Sequence, residues 1–242
     1  MKWTQNYQIQ YHDTDMNGVV TPSNILKYMQ ETANRQMVTQ GPSYDELIAE
    51  NKSFVICRLR IDFLKELHPY ERIEGQSWPY KNKGVSFYRQ YAIVQGEETV
   101  AVADSVFALV DTTNGRLLRA DEVTLNYSMD EYVPMDGSLR FRIPVELTLD
   151  EVGTHSVTYR DCDCNIHMNN TKYPDILCGF IPGIEKKRIR TIGINFKYAA
   201  PYGDTLTVFR AEENGIYYFR TLRSDGTVNM EAEIVTEAIV SD

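Results

Sequence analysis

Polar and apolar residues alternate at the start of the chain. Tyr7, Ile9 and Tyr11 share one face, and the pattern predicts a strand. The period then changes. Ile25, Tyr28, Met29, Ala33 and Met37 recur at helical spacing. Ser23 or Asn24 is placed to cap the start of this helix, and Gly41-Pro42 to stop it. Strand-like segments follow near 54–65, 70–81, 84–95 and 98–110, with Asn114-Gly115 as a turn after the last. The order then returns in shortened form. Tyr173, Ile176, Leu177 and Phe180 fall at i, i+3, i+4 and i+7, and Pro182-Gly183 ends the run. Strand-like segments lie near 188–198, 203–212, 215–223 and 228–240, with Asp225-Gly226 as a hairpin turn. Each half is strand, helix and four strands, which suits an antiparallel sheet wrapped round an apolar helix, an α+β arrangement.

The two halves share residues as well as periods. Tyr11-His12-Asp13-Thr14-Asp15-Met16-Asn17 returns as Tyr159-Arg160-Asp161-Cys162-Asp163-Cys164-Asn165. Ile61-Asp62-Phe63 is matched by Ile194-Asn195-Phe196, Pro69-Tyr70 by Pro201-Tyr202, and Gly84-Val85 by Gly215-Ile216, all in the same order. This is a duplicated domain, with the halves at 1–125 and 151–242. Residues 126–150, carrying Pro134, Gly137 and Pro144, read as the linker. After the shared motif the first copy continues Gly18-Val19-Val20 and the second Ile166-His167-Met168, so only one copy carries a histidine.

That histidine directs attention to the second copy. If Asp161 to Met168 is extended, Asp161, Asp163, Asn165 and His167 face one way and Cys162, Cys164, Ile166 and Met168 the other. His167 then reads as a general base, since an ordinary imidazole pKa of ~6.5 lies near working pH. Asp163 is placed to orient the histidine or a water, and Asn165 to donate to a carbonyl or developing oxyanion. The competing reading is that these polar residues satisfy a turn and cap the helix that follows. Cys162, Cys164 and His167 resemble a metal-ligand set in composition, but alternation separates the cysteines from the histidine and no second cluster completes a site, so no metal or other cofactor is expected. His12, His68 and His155 read as surface or turn residues.

The bulk numbers set limits. A net charge of -9 and 43% hydrophobic residues describe an ordinary globular chain and disfavour nucleic acid as a partner. No apolar run approaches the ~18 residues of a membrane span, and Met1 to Asn6 lack the apolar stretch of a secretory signal. Four cysteines without a disulfide framework suggest reduced thiols, hence a cytoplasmic location.

Taken together, the string Asp163-Cys164-Asn165-Ile166-His167-Met168-Asn169-Asn170-Thr171-Lys172-Tyr173 resembles the Asp-x-Asn-x-His-x-x-Asn signature of the acyl-acyl-carrier-protein thioesterases, and the likeness extends over essentially the whole chain. Asp13 to Val20 also looks like the aspartate motif of single-hotdog acyl-CoA thioesterases. The resemblance implies a tandem hotdog of bacterial type that hydrolyses a fatty acyl thioester of acyl carrier protein and so ends chain elongation in fatty acid biosynthesis. It maps the family's catalytic Asp, Asn and His onto Asp163, Asn165 and His167, and its acyl tunnel onto the first half, where Ile25, Met29 and Met37 are candidates to line it. The catalytic Glu of plant members falls at an alanine of the stretch Ile194 to Asp204, leaving Asp161 and Asp204 as candidate substitutes or His167 without that partner.

Docking of an acidic carrier calls for a local basic patch, and Lys186, Lys187, Arg188 and Arg190 form the densest cationic run, with an ordinary solvated loop as the competing reading. Hydrolysis of coenzyme A esters and acyl binding without turnover are the alternative functions. The internal duplication already supplies the pairing of a hotdog dimer, so a monomer and a homodimer are both compatible with the sequence.

Overall fold

The computed structural model describes residues 2–239. The first half contains β1 (Trp3–Gln8), α1 (Pro22–Gln40), α2 (Tyr44–Ala49), β2 (Lys52–Phe63), β3 (Arg72–Lys83), β4 (Ser86–Gln95), β5 (Glu98–Asp111) and the short β6 (Leu117–Leu118). The second contains β7 (Asp150–Ser156), α3 (Tyr173–Cys178), β8 (Lys187–Phe196), β9 (Thr205–Glu213), β10 (Ile216–Leu222) and β11 (Val228–Ala238). The expected strands are all present within a few residues. Residue 240, the end of the last expected strand, lies outside the described residues. Tyr7 and Ile9 point inward as expected, but Tyr11 sits exposed in a 3-10 turn after the strand has ended.

One antiparallel sheet runs through both halves in the order β1-β3-β4-β5-β2-β8-β11-β10-β9-β7, with β6 paired to β5. Each half repeats the same internal order, and the halves meet edge to edge at β2 and β8. There Arg58 opposes Asn195, Arg60 opposes Gly193 and Asp62 opposes Thr191. By the duplication Arg60 and Gly193 are equivalent positions, so the seam is self-complementary, like a two-fold interface between identical subunits. Apolar pairs hold it: Leu59 faces Ile194 and Ile61 faces Ile192, all buried. Arg60 pairs with Asp62 at 3.0 Å beside them, and Thr191 donates to Asp62 at 2.8 Å. Phe63 and Phe196 pack against both cores.

Helix α1 buries Ile25, Leu26, Met29, Thr32, Ala33 and Gln36, a stripe at i, i+3 and i+4. Its cap is Thr21, which accepts from the Asn24 amide, with Pro22 at the first turn. The sequence suggested Ser23 or Asn24; Ser23 instead exchanges hydrogen bonds with Asp175 of α3, at 2.9 and 3.1 Å, and ties the two helices together. Gly41, at φ 73, ends α1 as expected. Helix α1 lies close to β3 at Gly75, where an added Cβ would collide with Thr32. Helix α3 is one turn shorter than its periodicity predicts. It stops at Gly179, and Phe180 and Ile181 continue as turn. The linker crosses the first-half sheet on the side away from α1: Trp78 donates to the Glu131 carbonyl, and Gln90 bonds both the amide and the carbonyl of Val133. No helix among the described residues is long and apolar enough to cross a membrane.

Candidate active site

Asp163 to His167 forms a tight turn, not the extended segment expected. Ile166 donates to the Asp163 carbonyl at 3.0 Å and Asp163 to the His167 carbonyl at 3.2 Å. Cys162 is paired across the turn with Met168. Period-two alternation therefore fails: Met168 is buried, while Ile166 is 70% exposed with φ 62, a left-handed conformation uncommon for a β-branched residue. The turn is held from inside by its own carboxylate. Asp163 Oδ1 accepts from the Asn165 amide at 2.9 Å and Oδ2 from Asn169 Nδ2 at 3.2 Å. Asn169 also caps the next 3-10 turn, accepting from Thr171. The turn reading of these residues is thus correct for the backbone; of the candidate groups Asp163 and Asn165 line the adjoining cavity and His167 does not.

Asn165 points toward the first half of the molecule. Its Oδ1 accepts from Tyr44 Oη of α2 at 2.8 Å, and Tyr44 lies 3.3 Å from Ser53 Oγ. Oriented in this way, the Asn165 amide presents its NH2 as a donor. Close by, Gln30 of α1 donates to Asn170 Oδ1 at 2.7 Å. These residues border a cavity of about 400 Å³, with Asp163, Cys164 and Asn165 on one side and α1 and the first-half sheet on the other. Phe54, Phe87, Tyr91 and Phe107 supply its aromatic wall. Of the three candidate tunnel residues only Met37 lines this cavity. Met29 is fully buried core, and Ile25 lines a different cavity. His167 follows the turn in a half-buried position and pairs through its backbone with Pro201.

Both candidate substitute carboxylates are engaged elsewhere. Asp161 Oδ2 accepts from Thr158 N and Oγ1 and lies 3.4 Å from His155 Nε2. Burial works to raise this carboxyl, but the Thr158 and His155 contacts outweigh it and hold it below its usual range. Asp204 is buried, accepts from Thr205 and Ser224, and pairs with Arg223 at 3.2 Å. Ala199 lies exposed in the loop beside the motif, where Met168 donates to the Ala200 carbonyl and Tyr202 to that of Ile166. No cluster of three or more His, Cys, Asp or Glu able to hold a metal occurs among the described residues.

The basic run lies apart from this site. Lys187, Arg188 and Arg190 border a second cavity, of about 310 Å³, built around Asp15, Asn17 and Val19 of the first copy. Two of its charges are matched: Arg188 grips Glu66 at 2.6 Å, and Arg190 grips Glu237 at 2.6 Å. Lys187 donates to Tyr217 Oη, and Lys186 is exposed.

Sequence reasoning missed Tyr44, Asn169 and the Gln30–Asn170 contact. Ser43-Tyr44-Asp45-Glu46 is a capping box, so the start of α2 was detectable, but its reach across to Asn165 depends on how the halves pack.

Comparison with known proteins identifies the family of both halves. Residues 1–127 match the family model of the acyl-ACP thioesterase N-terminal domain, and residues 146–237 that of the C-terminal domain. Among solved structures, an acyl-ACP thioesterase from Bacteroides thetaiotaomicron superposes with a TM-score of 0.88 at 20% identity, covering 98% of each chain. A 12:0-ACP thioesterase from Umbellularia californica does so at 0.79 and 15% identity, covering 98% of this chain and 97% of its own. A search of curated protein sequences returns no match. A duplicated sheet-and-helix unit, matched in both halves, makes this tandem hotdog a member of the acyl-ACP thioesterase family, a thioester hydrolase acting on fatty acyl-acyl carrier protein.

Proposed function

We propose that hydrolysis takes place at the second-copy turn, with His167 as general base, Asn165 as donor to the carbonyl oxygen and Asp163 as the group that holds the turn in shape. His167 takes a proton from water, and the water oxygen attacks the thioester carbonyl carbon. The Asn165 NH2 stabilises the negative oxygen that forms. As the C–S bond breaks, the proton passes from His167 to the leaving sulfur, giving the free fatty acid and the carrier's thiol. One observation carries this reading: Tyr44 fixes the Asn165 amide so that its donor side is free at a cavity with an aromatic wall. Asp161 and Asp204 are structural on this account, since Asp204 has both oxygens occupied and Asp161 commits Oδ2 to Thr158 and His155.

The division of labour follows. Residues 1–125 supply the acyl cavity, 151–242 the catalytic turn, and 126–150 the join. Because each chain contains both parts, a monomer is sufficient for activity. We place the protein in the cytoplasm, where thiols such as Cys57 and Cys164 stay reduced. The Lys187–Arg190 stretch borders the other cavity with its arginines paired, so we assign carrier docking to no residue of that run except exposed Lys186.

Free-thiol release from carrier esters of increasing chain length tests the proposal. The expected result is turnover with a length optimum set by the cavity. Absence of release at every length would overturn it in favour of binding without hydrolysis.

A further inference from the structure

Arg89 projects from the helix-facing side of β4 into the lining of the catalytic cavity and is only 7% exposed. Its Nη1 donates to Gln36 Oε1 at 2.7 Å and to Ser77 Oγ at 2.8 Å, and the guanidinium also donates to the Tyr127 hydroxyl, with its Cζ 5.3 Å from that ring's centre. Among the described residues no carboxylate pairs with it. The nearest acid in register, Asp104, is opposite Gln90 on the other face of the sheet, where it takes the Tyr80 hydroxyl.

A buried arginine is normally matched by an anion, because its desolvated charge is otherwise uncompensated. The Gln36 and Ser77 bonds both use Nη1 and the Tyr127 hydroxyl takes a further donor, whereas a guanidinium presents five N–H donors in a planar fork. Clamping α1 to β3 through Gln36 and Ser77 and holding Tyr127 therefore account for only part of what this side chain offers. A plain hydrocarbon chain filling the cavity would strip water from the remaining donors and return nothing. An oxygen atom carried on the chain would meet them.

We propose that Arg89 is a specificity-determining residue, and that the acyl chain held here carries an acceptor oxygen (hydroxyl, oxo or carboxylate) received by Arg89. This rests on the cavity being the acyl site.

The test compares carrier esters of matched length that are plain, hydroxylated, oxo-substituted or terminated by a carboxylate, using the full chain. The parallel arm measures displacement of a fluorescent fatty acid by the corresponding free acids, which needs no turnover. The expected result is a preference of about ten-fold or more, in kcat/KM and in affinity, for at least one oxygenated chain over the plain one. Arg89→Met should abolish the preference and Arg89→Lys keep part of it. A carboxylate optimum would point to charge pairing, and a hydroxyl or oxo optimum to neutral hydrogen bonding; both support the proposal. Wild-type protein that treats plain chains as well as or better than every oxygenated one overturns it, whether or not the variants fold. If no ester is hydrolysed, the thioesterase reading fails separately, and the binding arm still decides the role of Arg89.

Discussion

The first and second motif turns share a backbone and differ in their chemistry. Asp15 accepts from the Asn17 amide as Asp163 does from that of Asn165. Gly18 donates to the Asp15 carbonyl as Ile166 does to that of Asp163, and both residues are left-handed, at φ 73 and 62. Val20 donates to Leu67 as Met168 does to Ala200. The side chains part ways at two positions. Val19 stands where His167 stands, and Asn17 spends its amide donor on the Glu185 carbonyl at 3.0 Å, whereas Asn165 has its oxygen taken by Tyr44 and its donor left for a ligand. The aspartates thus serve architecture in both halves, and the proposed chemistry falls to the residues they hold in place. On the proposed mechanism the same turn is a fold element in one copy and a catalytic element in the other.

The largest expected effect comes from removing the residue that has no counterpart. His167→Ala should lower kcat by at least ~10²-fold with the thermal transition retained; a folded variant of near-normal kcat would show that another group is the base. Next is Tyr44→Phe, which deletes one hydroxyl and leaves the ring. We expect kcat to fall about five- to ten-fold with KM nearly constant, and no further loss when the change is added to Asn165→Ala, because the two act as a unit. Additive losses would detach Tyr44 from Asn165.

Two smaller effects concern stability. Ile166→Gly gives the second turn the residue the first uses. It should stabilise the fold by about 0.5–1 kcal/mol, since left-handed strain is relieved and little buried surface is lost. A lowered Tm would mean that Ile166 packs against something essential. The other concerns Asp104, whose carboxyl is pushed up from 3.8 to about 6, chiefly by burial. A raised acid pKa contributes stability that is fully present below the unfolded value, declines as pH rises toward about 6, and stays reduced above it. Asp104→Asn should therefore flatten the urea midpoint between pH 4 and pH 7 relative to wild type; unchanged pH dependence would contradict the assigned burial.

Much of this was legible in the sequence. The strand and helix periods located β1 to β5, α1, α3 and β8 to β11, but gave no segment for α2, β6 or β7. The repeated Tyr-x-Asp-x-Asp-x-Asn string exposed the duplication. The motif's local shape was not legible, since a run of alternating polar residues fits an extended strand as well as a turn closed by its own aspartate. Ile166 concealed the turn further, being a residue that sequence rules keep away from positive φ. Tyr44 and Arg89 were invisible for another reason: their roles depend on what the fold places opposite them, Asn165 from the other half and, for Arg89, the lack of a carboxylate. The pairing of the basic run was not legible either, because Glu66 and Glu237, distant in sequence, take up Arg188 and Arg190.

Thiol release from an acyl-carrier ester by Asn165→Ala and by Asn17→Ala, measured side by side, tests the central claim most directly, because the same substitution is made at equivalent positions of the two turns. The account predicts a loss of about 10²-fold in kcat for Asn165→Ala and less than about two-fold for Asn17→Ala, whose side chain bonds only a backbone carbonyl. Equal losses, or a greater loss at Asn17, would contradict the assignment of catalysis to the second turn.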